Sequence, residues 1–308
     1  MSHRTVSEHV MPTFVPPRTP WPRAAVFVGL RFLLGTVGRL SAGVRIGWRR
    51  GFDSGESLDH VYRNVAEGIT PLGRLVDRIY LGSRGWRAIR QRKAHLQETL
   101  RSVVERVHAE GRPIHLVDIA AGPGRYVLEA LQAMSHLEPS AVLRDQSPAA
   151  LEAGRRLAAT LGVGRVRYVQ GDAFDRDTLA RLTPTPTIAI ASGLYELVPD
   201  NRRVLDSLCG LRDGLADDGY LIYTNQPWHP QLELIARVLT NREGRPWVMR
   251  CRPQAEIDGL VRLAGFGKVG MRTDEDGIFT VSVARGSGSR DGRRPRRIEG
   301  VSGPRQPG

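Results

Sequence analysis

The stretch Val117-Asp118-Ile119-Ala120-Ala121-Gly122-Pro123-Gly124-Arg125-Tyr126 decides the fold. The apolar run 114–119 reads as a buried parallel strand, the small residues after it as a loop, and 126–134 as a helix by the spacing of its apolar positions. Strand, glycine turn and helix N-terminus make the entry half of a nucleotide-binding βαβ unit. Its glycines admit a ligand close to the backbone, and the first helical amides face a negative group. A dinucleotide fingerprint wants a third glycine where Val127 stands. Asp118, at the carboxyl end of the strand, would repel a pyrophosphate but suits a ligand that carries an ammonium beside a sulfonium.

Outward from this stretch, strands and helices alternate through 112–285. Strands are predicted at 141–144, 166–169, 188–191 and 220–224, and helices at 148–161 and 201–215. That alternation implies parallel strands joined by right-handed crossovers. After a helix at 253–264, the runs 268–273 and 278–284 predict an antiparallel hairpin at the end of the sheet.

In open sheets of this kind ligands bind beyond the carboxyl ends of the strands, so the residues there are the ones to compare. They are Asp118 with its loop, Asp145-Gln146, Gly171-Asp172-Ala173 and Ser192-Gly193. Each suits a part of one molecule, S-adenosylmethionine. Asp145 can accept from both ribose hydroxyls, Asp172 from an adenine amine while Ala173 donates its N–H, and Asp118 with the loop can hold the methionine portion.

These residues resemble the class I S-adenosylmethionine-dependent methyltransferases. The resemblance covers 112–285 and rests on Asp118-x-Ala120-Ala121-Gly122-x-Gly124, Asp145, Gly171-Asp172-Ala173 and the late pair of strands. It implies a Rossmann-like sheet of seven strands, mostly parallel with the last antiparallel. It also implies a cofactor site at Asp118, Ala120, Gly122, Gly124, Asp145, Gln146, Asp172, Ala173 and Ser192. Ala120 stands where many members have glycine. A wider resemblance, to a bacterial group of methyltransferase-like proteins sometimes fused to an α/β-hydrolase domain, rests on Gly51-Phe52-Asp53-Ser54-Gly55, Thr70-Pro71-Leu72-Gly73-Arg74, Gly85-Trp86-Arg87-Ala88-Ile89-Arg90 and Thr224-Asn225-Gln226-Pro227-Trp228-His229-Pro230.

The 308 residues carry a net charge of +13, almost all of it arginine, since Lys93 and Lys268 are the only lysines. Such a chain is drawn to anionic lipid or nucleic acid. Cys209 and Cys251 are the only cysteines, which fits neither a disulfide framework nor a zinc site. Proline-rich residues 1–22 predict a disordered leader, and the Gly, Ser, Pro and Arg of 286–308 a disordered basic tail. Residues 23–50 predict a basic amphipathic helix with Arg23, Arg31, Arg39, Arg45 and Arg49 on one half of its surface. It would lie on an anionic membrane or dock on its own domain; Arg31 and Arg39 interrupt any spanning segment.

Residues 51–110 predict a helical cap over the open edge of the sheet. Leu72, Leu75, Val76 and Ile79 share one face of its second helix, and Leu96, Leu100, Val103, Val104 and Val107 form a buried stripe on its third. Tyr62, Arg74, Tyr80, Trp86, Arg87 and Arg90 are the cap's candidates for a substrate pocket. Candidates for a general base are Tyr195, Glu196 and His229, with Asn225 and Gln226 as orienting groups.

The expected function is methyl transfer from S-adenosylmethionine to a small-molecule or lipid acceptor, in the cytoplasm or peripherally at the inner membrane. The alternatives are a nucleic-acid methyltransferase and a non-catalytic S-adenosylmethionine-binding protein. Base-amine methylation is disfavoured because Ser192-Gly193-Leu194-Tyr195 replaces an Asn-Pro-Pro-Tyr motif.

Overall fold

The computed structural model describes residues 20–287. In the β1 strand (His115–Asp118) side chains alternate between two layers: Leu116 joins the core on one face of the sheet and Val117 the core on the other. A strand buried on both faces carries apolar residues at successive positions, as Leu116 and Val117 do here. The sheet has seven strands in the order β3-β2-β1-β4-β5-β7-β6. These are β1, β2 (Ser140–Asp145), β3 (Val166–Gln170), β4 (Ile188–Ala191), β5 (Tyr220–Asn225), β6 (Phe266–Thr273) and β7 (Thr280–Gly286). The first five are parallel, and β7 runs antiparallel to both β5 and β6. Strand order reverses at β1, which runs between β2 and β4, so a crevice opens beyond its carboxyl end.

Before the sheet come α1 (Trp21–Gly35), α2 (Ala42–Arg50), α3 (Gly55–Arg63), α4 (Pro71–Leu81) and the long α5 (Arg84–Ala109). The carboxyl half of α5, with α6 (Arg125–Ala133) and α7 (Pro148–Leu161), covers one face of the sheet. The Leu96, Leu100, Val103, Val104 and Val107 stripe is buried there as its spacing predicts. The other face is covered by α8 (Arg176–Ala180), α9 (Asn201–Gly214) and, beyond α10 (Leu232–Val238), α11 (Gln254–Leu263). A third core joins the cap to α10 through Val44, Phe52, Trp86, Ile235, Trp247 and Phe279.

The segment before the cap departs from expectation. Residues 23–50 are not one helix. α1 ends at Gly35, a 3-10 turn follows at Val37–Leu40, and Ser41 starts α2 by accepting from the Val44 N–H. α2 is buried against the domain: a Cβ on Gly43 would come within 2.5 Å of the Tyr80 ring, and one on Gly47 within 2.3 Å of Phe52. It is pinned by buried Asp77, which accepts from the Ser41 hydroxyl, the amides of Gly43 and Glu67, and His60 Nε2. Both foreseen modes therefore meet a divided segment: its second half is buried in the domain, and its first half packs one side, Phe27, Leu30 and Leu34, on the third core beside α10 and leaves the other side exposed. On the shared apolar face of α4, Leu72, Leu75 and Ile79 are exposed.

The leader begins to be described at residue 20 and Trp21 already lies in α1; residues 1–19 and 288–308, where the rest of the leader and tail were expected, lie outside the described residues.

Candidate active site

Two cavities meet at the carboxyl edge of the sheet. The outer cleft, of about 540 Å³, is bounded on one side by the 119–126 loop and the ends of β2 and β4, and on the other by the start of α3. Gly122 and Gly124 both take positive φ, of 55° and 75°. At Gly124 a Cβ would come within 2.5 Å of Leu143, so neither the backbone nor the packing tolerates a larger residue. The cap closes over this loop: Gly55 stands against Gly122 and Pro123, and Arg125 donates from Nε and Nη2 to the two oxygens of Asp59 at 2.5 and 3.1 Å.

Seven of the expected cofactor residues line this cleft: Ala120, Gly122, Gly124, Asp145, Gln146, Ala173 and Ser192. Asp145 accepts from the Gly122 amide at 2.8 Å and from the Ser147 amide at 2.9 Å, one to each oxygen. It orders the loop and keeps lone pairs for a ligand's hydroxyls. Asp118 and Asp172 do not line the cleft. Asp118 is buried beneath the loop, where it accepts from the Tyr126 hydroxyl at 2.5 Å and the Ala120 amide at 3.2 Å, and burial raises its pKa to about 7. Asp172 is turned back on its own chain and accepts from the Phe174 amide at 2.9 Å.

The inner cavity, of about 360 Å³, lies under the cap. Its walls are chiefly apolar: Phe52, Tyr80, Trp86 and Ile89 on one side, Ile235, Leu239, Trp247, Met249 and Phe279 on the other. Asp53, Leu58, Arg92, Gly193 and Leu197 line both cavities, so the two are continuous.

Polar groups gather at this junction. Arg92 donates from Nη1 to Glu196 Oε1 at 3.1 Å in a fully buried ion pair and reaches the Tyr62 hydroxyl at 3.3 Å. Glu196 Oε2, Arg92 Nε and Gln226 Nε2 have no hydrogen-bond partner. Buried polar atoms left open in this way mark a place where a ligand's polar group would be held. Desolvation raises the Glu196 pKa above the ordinary carboxyl range, which makes it a better proton acceptor than a surface glutamate.

His229 also lines the inner cavity. Its Nδ1 accepts the Gln231 amide at 3.0 Å, and burial lowers its pKa to about 4. The ring is therefore neutral near pH 7 with its proton on Nε2, and it acts as a donor rather than a base. Tyr195 lines neither cavity. It is buried in the core beneath β4, with its hydroxyl 3.1 Å from Ser207 Oγ.

Of the cap candidates, Tyr62, Tyr80 and Trp86 reach a cavity, whereas Arg74 and Arg87 are exposed and Arg90 caps the Leu81 carbonyl at 2.9 Å. Arg92 was missed, although its place in the buried face of α5 between Ile89 and Leu96 is legible: a charge inside an apolar stripe needs a partner. Asp53, which sequence marks only as part of the 51–55 stretch, also stands at the junction with Oδ1 unpartnered.

Comparison with known proteins agrees with this architecture. The sequence profile of the family described as "Putative methyltransferase" matches residues 5–286. An Escherichia coli K12 relative, described as "Uncharacterized protein YnbC", is 52% identical over 270 residues, which are 86% of this chain and 46% of that protein. The chain thus spans about half the length of that relative.

Among solved structures, a Bordetella parapertussis protein described as a possible exported protein superposes with a TM-score of 0.63 at 17% identity, over 87% of this chain and 99% of that one. The magnesium protoporphyrin IX methyltransferase of Synechocystis PCC 6803, solved with S-adenosylhomocysteine, has a TM-score of 0.51 at 19% identity over 77% and 97%. With the family profile matched over residues 5–286 and a seven-stranded, mostly parallel sheet whose last strand is antiparallel, the chain belongs to the "Putative methyltransferase" family and has the fold of the class I S-adenosylmethionine-dependent methyltransferases.

Proposed function

We propose that this protein transfers a methyl group from S-adenosylmethionine, held in the outer cleft, to a nucleophilic oxygen or nitrogen of a largely apolar molecule held in the inner cavity. The observation that carries the proposal is the continuity of the two cavities through Asp53, Leu58, Arg92, Gly193 and Leu197. One wall is polar and built around a glycine loop; the other is apolar and ends in a buried acid–base group.

The residues of the outer cleft suit that cofactor. Asp145 retains lone pairs for ribose hydroxyls, the glycine loop presents close backbone, and the cleft has depth between the loop and α3. When bound, S-adenosylmethionine supplies a methyl carbon already activated by its sulfonium. The protein's task is then to orient the acceptor, exclude water and receive a proton. The aromatic walls exclude water. Gln226 Nε2 and His229 Nε2–H donate to the acceptor's heteroatom, and Glu196 Oε2 takes its proton as the new bond to carbon forms. Arg92 keeps Glu196 ionised until then. Asp118 acts from beneath the loop by holding Ala120 and Tyr126, while Asp172 shapes the turn that presents Ala173.

The acceptor is a small molecule with an apolar body, lipids included. Incubation of cell extract with labelled S-adenosylmethionine and this protein, followed by separation into lipid, nucleic acid and protein, should put label in the organic-soluble fraction. Glu196→Gln should lower the rate by roughly 10² to 10⁴ with unchanged cofactor affinity. Label in nucleic acid alone, or a Glu196→Gln variant as fast as wild type, would sink the assignment.

A further inference from the structure

We infer that α1, the 3-10 turn after it and α4 form a surface that seats the protein on an anionic lipid bilayer, with the inner cavity opening onto that surface. The acceptor is thereby an amphiphile whose apolar part enters from the bilayer. The acceptor half rests on the methyl-transfer reading; the surface half does not.

The first observation is an apolar face turned the wrong way for water. α1 has no buried residue, and Val28, Phe32 and Leu33 are exposed, Phe32 by 72%. Leu72, Leu75 and Ile79 of α4 are exposed too, although their spacing is that of a core stripe. The 3-10 turn packs on both helices. Large apolar side chains exposed together outside a fold mark a contact surface.

The second observation is charge. Residues 20–51 hold six arginines and no acid, and between 68 and 97 the only acid is Asp77, which is buried in its own hydrogen-bond network. Arg39, Arg74, Arg78 and Arg84 are exposed and form no ion pair among the described residues. Apolar side chains bordered by unpaired arginines match the boundary between anionic headgroups and acyl chains. Two copies meeting through this face would set arginine against arginine. Among the described residues no helix is long and apolar enough to cross a membrane, so the contact is interfacial.

The third observation joins the surface to the chemistry. Leu34 of α1 and Ile79 of α4 both line the inner cavity, and Ile79 is 68% exposed. The cavity therefore reaches the surface between the two helices. An amphiphile entering there passes from an exposed isoleucine along Tyr80 and Trp86 toward the buried polar groups of Arg92, Glu196 and Gln226.

Flotation of the full chain with vesicles tests this. Phosphatidylcholine vesicles containing phosphatidylglycerol should carry the protein to the top of the gradient, and phosphatidylcholine alone should not. A Phe32→Ser/Leu72→Ser/Leu75→Ser variant should lose at least about tenfold in recovery. Arg74→Gln/Arg78→Gln should lose recovery that added salt also removes from wild type. Calorimetry with S-adenosylmethionine on the same preparations should give unchanged affinity, which shows that the variants are folded. Equal recovery of the serine variant, or no recovery of wild type on anionic vesicles, overturns the surface. So does a wild-type dimer in sedimentation that the serine variant converts to monomer. Cofactor binding without flotation overturns the surface alone; flotation without cofactor binding supports the surface and overturns the methyl-transfer reading.

Discussion

The outer cleft and the inner cavity are neighbours built on opposite plans. The cleft is made of short consecutive segments, each fixed by backbone geometry: a glycine loop, and the ends of β2 and β4. The inner cavity is made of single side chains drawn from α1, the cap, the β4 and β5 loops, α10, the segment after it and the turn between β6 and β7. One side offers a ligand main chain and carboxylate, the other aromatic area and one buried ion pair. The difference teaches that the cofactor side of such a site is specified locally and the acceptor side by tertiary packing.

The sharpest way to break this comparison is to remove the charge that the inner cavity keeps buried. Arg92→Met strips Glu196 of its cation in a site that is only a few per cent exposed, and should cost about 3–5 kcal/mol of stability by chemical denaturation. The double variant Arg92→Met/Glu196→Met should recover most of that loss and stay inactive. If the single variant is as stable as wild type, Arg92 and Glu196 do not form the pair on which the acceptor end depends.

A smaller effect sets the two sides against each other in pH. Asp118, under the cleft loop, has its pKa raised to about 7, so the folded state holds a proton that the unfolded state has already released. Its stabilisation is full below the ordinary carboxyl range and is lost as pH rises through about 7, amounting to about 2–3 kcal/mol between pH 5 and pH 8. His229, in the inner cavity, is lowered to about 4, and its contribution is present above the ordinary imidazole value of about 6.5 and lost as pH falls below it. The loss is about 2 kcal/mol by pH 5. Wild-type contributions from these two groups nearly cancel between pH 5 and pH 7. Asp118→Asn should unmask a protein that weakens on acidification, and His229→Asn one that weakens toward alkaline pH. Melting temperatures across that range, parallel in all three proteins, would contradict both assignments.

How much was legible follows from the same contrast. The strand and helix alternation, the hairpin of β6 and β7 and the loop from Ala120 to Gly124 could be read because period, glycine spacing and strand-end position are local properties. Asp145, Gln146, Ala173 and Ser192 were reached by the same reasoning. Asp118 and Asp172 sit where their strands predict, yet their side chains bond to Tyr126 and to the Phe174 amide, a choice of rotamer that sequence does not carry. Tyr195 and Glu196 are adjacent and point to opposite sides, one to Ser207 and one to Arg92, because the chain makes a 3-10 turn there.

Residues 232–252, with Ile235, Leu239, Trp247 and Met249, supply much of the inner cavity's wall and have neither a clean period nor a motif. The exposed stripe of α4 has the same spacing as the buried stripe of α5; only packing distinguishes a face that meets protein from one that does not.

The central claim is that the glycine-loop cleft binds S-adenosylmethionine, and titration calorimetry tests it most directly. The account predicts saturable binding of one molecule per chain in wild type. Gly124→Ala, which must strain a positive φ and displace Leu143, should lose most of that affinity. No saturable binding to wild type, or equal affinity in Gly124→Ala, would contradict it.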